Sequence, residues 1–282
     1  MYNRQSVLIK LKNDLDIRGY SNQSKFRYTY IVNSFLEYME ATNSNKKIEE
    51  YNEYDVIEYL KYLIDVKKYM NSSYNSVNSI LKFFLEVTLE KNIGYKRLPN
   101  RKVEIRKKVV PSKETILYII NNTKNLKHKI IYSLAYGSGL RVSEIATLKF
   151  EDIDAKNRKL NVIGKGNKER ITVLPEMTLN LLRKYVIKEK IRSGYLFKGE
   201  QGRKYINEGS ISKSLSDLVK KLNINENVTM HSLRRSFATH MLRSGVNIEI
   251  VKELMGHNSL TTTSGYIEYV YKELKIENPL DI

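Results

Sequence analysis

The sequence predicts a mainly α-helical protein of two domains, the second carrying one small antiparallel β-sheet. Three observations carry this expectation. Apolar residues recur every three or four positions through most of the chain, the period of an amphipathic helix. Only between Lys159 and Pro175 does the period fall to two, the spacing of paired strands. The 282 residues also exceed the usual size of one compact domain, and a basic, proline-containing stretch without periodicity interrupts the chain near residue 100.

Residues 1–95 read as a four-helix unit. "SVLIKLKNDLDIRG" spaces Leu8, Leu11 and Leu15 along one face and ends at Gly19. "SNQSKFRYTYIVNSFLEYME" offers Ser24 as a cap and the stripe Tyr28, Ile31, Phe35 and Met39. "EYDVIEYLKYLIDVKKY" and "SSYNSVNSILKFFLEVTLEK" repeat the pattern. From Lys96 to Lys108, "KRLPNRKVEIRKK" sets seven basic residues against the single acid Glu104. A linker over 96–111 is expected there, either solvated or laid along a phosphate backbone. Its basic side chains are Lys96, Arg97, Arg101, Lys102, Arg106, Lys107 and Lys108.

The second domain, 112–282, opens with "SKETILYIINNT", in which Ser112 is the expected cap and Glu114 lies in the first turn. "KHKIIYSLAYGSGL" and "RVSEIATLKF" follow as helices broken by Gly137 and Gly139. "KLNVI", a turn "GKGNK" and "ERITVLP" form the hairpin. Helices return after Glu176, notably "SISKSLSDLVKKL", "HSLRRSFATHMLRSG", "NIEIVKELMG" and "LTTTSGYIEYVYKEL".

Lys and Arg number 49 against 31 Asp and Glu, a net charge of +18. Such an excess attracts polyanions over long range. Residues 1–108 hold 20 basic and 13 acidic residues, leaving 29 and 18 for 109–282, so both halves are basic and a two-sided grip on nucleic acid is expected. A membrane partner is disfavoured because no amphipathic segment sets a concentrated basic face beside Trp or Phe anchors. No run approaches the length of a membrane span, and "MYNRQSVLIKLKNDLD" lacks the layout of a secretion signal. The absence of cysteine excludes disulfides, thiolate nucleophiles and cysteine metal sites. A cytoplasmic protein is expected.

Chemistry must therefore come from oxygen and nitrogen groups. Among only four histidines, His231 opens a helix as "HSLRR", with Arg234 on the same face and Arg235 beside it. Leu233, Phe237 and Met241 occupy the opposite row, so the polar row is expected to face a surface or cleft. His257 follows the helix stop Gly256, and Tyr266 lies nine residues further on, ahead of Tyr269 and Tyr271. Arg141 starts a helix behind a glycine break, from which its guanidinium is expected to reach outward. Lys165 stands at the tip of the hairpin turn, and no "GK[ST]" follows it, which argues against a phosphate loop. The carboxylates of "EDID" (Glu151, Asp152, Asp154) read as turn and cap groups, with a metal-dependent nuclease as the rival reading.

"GLRVSEIATLKFEDID", "VIGKGNKERITVLP", "HSLRRSFATHMLRSG" and "LMGHNSLTTTSGYIEY" together resemble the tyrosine recombinase, or phage integrase, family, in particular its short Xer-like members. The motifs stand in the family's order, with 24 residues from Arg141 to Lys165, 26 from His231 to His257 and nine from His257 to Tyr266. The resemblance implies a helical, SAM-like core-binding domain over 1–95 and a catalytic domain over 112–282. It further implies that Tyr266 attacks a DNA phosphodiester to form a 3′-phosphotyrosyl link. Arg141 and Arg234 would hold the non-bridging oxygens, His257 would add a hydrogen bond, Lys165 would protonate the leaving oxygen and His231 would assist proton transfer at the tyrosine. Glu144 would support Arg141. Where many relatives continue Leu-Arg-His, this chain has Leu233, Arg234 and Arg235; Arg235 is either a further DNA contact or simply exposed.

The family implies no cofactor or metal. Its partners would be double-stranded DNA with inverted half-sites, a second protomer on a core site, four protomers in the synaptic complex, and in some systems a related recombinase or accessory protein. The apolar Ile276, Pro279 and Leu280 of the tail would dock on a neighbouring subunit. Integration, excision and dimer resolution all stay open as the biological setting. A type IB topoisomerase shares the tyrosine chemistry, and a non-catalytic DNA-binding protein would share only the fold.

Overall fold

Helical periodicity becomes helix throughout both halves of the computed structural model, which describes residues 2–93, 97–103, 110–164, 168–200 and 202–256. The chain forms two compact units, Met1–Arg106 and Lys107–Ile282.

In the first unit α1 (Arg4–Ile17), α2 (Asn22–Thr42), α3 (Glu53–Asp65) and α4 (Asn71–Phe83) enclose one core, and a π-helical turn, Phe84–Thr88, prolongs α4. The buried row of α1 is Val7, Leu11 and Leu15; Leu8 is only half-buried. Gly19, with φ of 68°, follows its last turn. The expected cap of α2 shifts by three residues. Ser21, rather than Ser24, accepts the hydrogen bond, and Ser24 supplies the amide. Its fully buried residues are Val32, Phe35, Leu36 and Met39, which leaves Tyr28 and Ile31 at the margin of the core. Each such Leu or Phe contributes about 1.5–3 kcal/mol by leaving water.

Residues 97–103 do not run loose along this unit. Asn78, fully buried on α4, donates to the carbonyl of Leu98 at 3.0 Å and to Asn100 Oδ1 at 3.0 Å. One turn earlier, Asn75 exchanges two hydrogen bonds with the backbone of Arg101, and Asn71 donates to the carbonyl of Lys102 at 2.9 Å. Asn71, Asn75 and Asn78 fall on one helix face by their spacing of four and three. The face thus satisfies backbone groups of a segment that has no ladder of its own.

In the second unit, α6 (Leu126–Gly137) is the central helix, with Ile130, Ile131, Tyr132, Leu134 and Ala135 all buried. Around it lie α5 (Lys113–Asn122), the short α7 (Val142–Ala146), α8 (Glu176–Lys188), α9 (Glu208–Lys221) and α10 (Met230–Arg243). Ser112 caps α5 through the Thr115 amide at 3.1 Å. The hairpin is present as β2 (Lys159–Ile163) and β3 (Glu169–Val173), joined on its outer side by a two-residue strand, β1 (Ile153–Asp154), in the order β1-β2-β3. All pairs are antiparallel. Finally α11 (Ile248–Met255) packs on α10 through Phe237, Ala238, Leu242, Val251 and Met255 and stops at Gly256. Among the described residues, no helix is long and apolar enough to cross a membrane.

Candidate active site

The site is built around one carboxylate. Glu144, on α7, is buried to within 3 % of full enclosure. Its Oε1 accepts from Arg141 Nη1 at 2.7 Å and from Arg170 Nη1 at 2.7 Å. Its Oε2 accepts from the Arg141 amide at 2.7 Å, Arg170 Nη2 at 2.8 Å and Arg234 Nη1 at 3.4 Å. Burial alone would push its pKa up. The hydrogen bonds and charge of Arg170, the Arg141 amide and the charge of Arg234 more than reverse that and hold it at about 2. Glu144 therefore stays ionised at neutral pH.

Three guanidiniums meet one carboxylate, which leaves an excess of two positive charges in a mostly enclosed place. Burying a charge is costly unless it is paired. Here the excess suits an incoming anion whose charge grows toward two as a reaction proceeds. Guanidinium forks match the geometry of phosphate oxygens and keep their charge at every working pH. Arg141 is the open member, with 34 % of its side chain exposed, against 8 % for Arg170 and 3 % for Arg234.

Local backbone geometry makes this convergence possible. Gly139, with φ of 63°, turns the chain between α6 and α7, and a Cβ there would lie 2.5 Å from the Phe237 ring. Only glycine fits so close an approach at that φ. The turn brings the Gly139 carbonyl to Arg234 Nη1 at 2.5 Å. At the end of α11, Met255 accepts from Arg234 Nη2 at 2.5 Å and Gly256 from Arg141 Nη2 at 3.4 Å. Among the described residues these carbonyls have no helical partner, so cations at a helix C-terminus are favourable on two counts.

The sequence expectations fare unevenly here. Arg141, Glu144 and Arg234 do come together. Of the row expected to face a surface or cleft, His231 at the start of α10 is exposed, whereas Arg234 is buried with Ser232, Leu233 and Ser236 and faces the enclosed Glu144 cluster. Leu233 and Phe237 are buried as the apolar row requires, and Arg234 is buried as well because the Gly139 carbonyl, Glu144 on α7 and the end of α11 supply its polar partners. Arg235 is half-buried rather than fully exposed. Lys165, His257 and Tyr266 lie outside the described residues, as do Tyr269, Tyr271 and the tail residues Ile276, Pro279 and Leu280. Their chain neighbours do not. A Cβ on Gly164 would lie 3.5 Å from Arg170 Nη1 and 3.6 Å from Glu144 Oε1, and Gly256 touches Arg141 and Arg170.

A sequence profile described as "phage integrase family" matches residues 110–273. The chain belongs to the phage integrase family, the tyrosine recombinases. Residues 8–95 of this recombinase match a second profile, "phage integrase, N-terminal SAM-like domain". It is 32% identical over 271 residues to a tyrosine recombinase of Thermosipho africanus, covering 91% of this chain and 92% of that one. It is 33% identical over 275 residues to tyrosine recombinase XerA of Pyrococcus horikoshii, covering 95% and 91%. Among solved structures, the crystal structure of XerA recombinase aligns with 26% identity and a TM-score of 0.54 over 98% of this chain and 100% of that one. A lambda integrase dimer bound to a COC′ core site aligns at 18% identity with a TM-score of 0.72, over 98% and 80%, a likeness of fold.

The carboxylates of the rival nuclease reading are each engaged in turns of this recombinase. Glu151 accepts from the Gly194 amide at 2.9 Å, Asp152 from the Lys149 amide at 2.8 Å, and Asp154 from the amide and side chain of Asn157 at 2.9 and 2.7 Å. Those amide hydrogen bonds lower the pKa of Glu151 and Asp154. Among the basic residues of 96–108, Arg97 pairs with Glu53, and Arg101 lies over the Tyr74 ring at 5.5 Å; Lys96, Arg106, Lys107 and Lys108 are outside the described residues. The sequence reading missed Arg170 altogether. One signal for it existed: in "ERITV" the apolar Ile171 and Val173 point outward, and Arg170 and Thr172 take the inward phase, opposite Val162 and Leu160.

Proposed function

We propose that this chain cuts and rejoins DNA at specific sites through a transient bond between Tyr266 and the 3′ phosphate of the cut strand. The observation that carries the proposal is the pairing of three arginines with a single ionised carboxylate at the ends of α7 and α11. In this reading Arg141 and Arg234 grip the non-bridging oxygens of the scissile phosphate. The Tyr266 hydroxyl is a poor nucleophile at its ordinary pKa of about 10, so it needs a neutralised phosphate and a proton acceptor, the role given to His231. The Tyr266 oxygen bonds to phosphorus while the 5′ oxygen departs and takes a proton from Lys165, and His257 adds a hydrogen bond to the phosphate. The freed 5′ hydroxyl of a second strand reverses the step and releases Tyr266. The bond energy stays in the phosphotyrosine, so rejoining needs no ATP. Preorganised cations supply the electrostatic stabilisation that phosphoryl transfer requires.

Within the same reading, residues 1–95 and 112–282 clamp the duplex from two sides, with 96–111 joining them. Lys96, Arg97, Arg101, Lys102, Arg106, Lys107, Lys108 and Arg235 contribute to backbone contact. Two protomers occupy inverted half-sites, and two such pairs exchange strands as a tetramer through a Holliday junction. A cytoplasmic setting follows from action on DNA.

The test is a nicked suicide substrate carrying candidate sites from the native genome, scored for protein-linked DNA. Wild type should form the adduct in the presence of a chelator. Tyr266→Phe should bind the same DNA and form none, while Tyr269→Phe and Tyr271→Phe should cleave. An adduct in Tyr266→Phe would move the chemistry to another residue, and loss of cleavage on chelation would end the tyrosine reading.

A further inference from the structure

Arg170 stands where the alternation of β3 places an inward side chain, and all three kinds of donor nitrogen in its guanidinium are committed. Nη1 and Nη2 grip the two oxygens of Glu144, and Nε donates to the carbonyl of Leu254 at 2.9 Å. The three last carbonyls of the α11 terminus are thereby shared out in order: Leu254 accepts from Arg170, Met255 from Arg234 and Gly256 from Arg141. Each of these arginines also donates to Glu144. The cluster is a frame with two fixed sides, a carboxylate and a run of carbonyls, and three guanidiniums spanning them.

We infer that Arg170 is a positioning residue for strand cleavage: it locks Glu144 and the end of α11 in the arrangement that presents Arg141 and Arg234 to the phosphate. The inference rests on the recombinase reading for the identity of the reaction. Two parallel hydrogen bonds fix the rotation of the Glu144 carboxylate, and that rotation decides whether Oε1 meets Arg141 and Oε2 meets Arg234. The third bond ties the frame to α11, immediately before His257 in the chain. Arg170 is assigned positioning rather than direct contact because its Nη1, Nη2 and Nε are all held, two by Glu144 and one by the Leu254 carbonyl. Gly256 completes the fit: at φ of 60° its missing Cβ leaves room for Arg170 Cδ, which a Cβ would approach to 2.7 Å. A lysine could supply charge at this place but could not span both oxygens and a carbonyl.

The experiment compares full-length wild type, Arg170→Gln and Arg170→Lys for single-turnover adduct formation at saturating suicide substrate, with half-site binding measured in parallel. Misplacing catalytic groups by about 1 Å costs on the order of 100-fold, so Arg170→Gln should cleave about 100-fold more slowly and Arg170→Lys about tenfold, with binding within about threefold of wild type. A second substrate replaces one non-bridging oxygen of the scissile phosphate by methyl, removing the charge that Arg141 and Arg234 are held in place to meet. On it the gap between wild type and Arg170→Gln should shrink to less than about fivefold, a compression that a general loss of folding would not produce. If Arg170→Gln folds poorly, Arg170→Lys carries the same comparison with its smaller gap. Cleavage by Arg170→Gln at the wild-type rate, or an undiminished gap on the methylated phosphate, would overturn the inference and leave the recombinase reading standing. Failure of wild type to form any adduct would remove both.

Discussion

Arg141, Arg170 and Arg234 share one buried carboxylate, whereas Arg97 and Arg101 lie on the surface of the first unit, one paired with Glu53 and the other laid over Tyr74. The residue type is the same, and the physics is opposite. In the cluster, desolvation makes every charge expensive, so each guanidinium is held by several fixed acceptors and cannot relax away from a bound anion. On the surface, water and salt screen the charges, and each pair contributes little. Arginines of the first kind can shape a transition state; those of the second kind can add attraction to a phosphate backbone.

The contrast is broken most severely at Glu144. Glu144→Gln leaves three guanidiniums without their common counter-charge, and a loss of about 3–5 kcal/mol in unfolding free energy is expected, read from urea titration at neutral pH. The same residue predicts an acid dependence. Its pKa is lowered on folding from 4.5 to about 2, so its stabilisation is complete above about pH 4.5 and is lost as pH falls toward 2. The lowering corresponds to about 3 kcal/mol, and the part of the acid destabilisation that Glu144 supplies should vanish in Glu144→Gln.

A smaller effect is expected where the basic segment is tied down. Asn78→Ala removes buried donors to Leu98 and Asn100, which should cost about 1–3 kcal/mol in thermal or chemical unfolding. Adduct formation at saturating DNA should change little, because the ladder on α4 serves the first unit. The smallest effect belongs to the surface. Arg101→Ala should weaken half-site binding a few-fold and reduce the slope of log affinity against log salt by about 1. No change in that slope would mean that Arg101 serves only the Tyr74 ring it lies over and Asn71 Oδ1, to which its Nη1 donates at 3.4 Å.

Much of this architecture was legible in the sequence because it rests on local rules. Leu11 and Leu15, Phe35 and Met39 follow the helical period into the core, Ser112 caps α5, and the alternation of "KLNVI" and "ERITV" yields the hairpin. Motif order alone paired Arg141 with Arg234, which are distant in sequence yet share Glu144. What stayed hidden depends on tertiary partners. Nothing local tells that the polar row of α10 turns inward at Arg234, because the partners are carbonyls at Gly139 and Met255. Arg170 was invisible to an apolar-in rule for the same reason: its inward position is satisfied by a glutamate on another element. The asparagine ladder that holds residues 98–102 looks, in sequence, like any polar helix face.

The most direct measurement of the difference between the two groups of arginines is the rate of adduct formation at saturating suicide substrate for Arg141→Ala beside Arg101→Ala. Arg141 is the most open guanidinium of the cluster, so its removal should slow cleavage by about 100- to 1,000-fold with half-site binding largely kept, while Arg101→Ala cleaves at the wild-type rate once DNA is saturating. Cleavage by Arg141→Ala at the wild-type rate, or a defect in Arg101→Ala that saturating DNA does not relieve, would contradict the account.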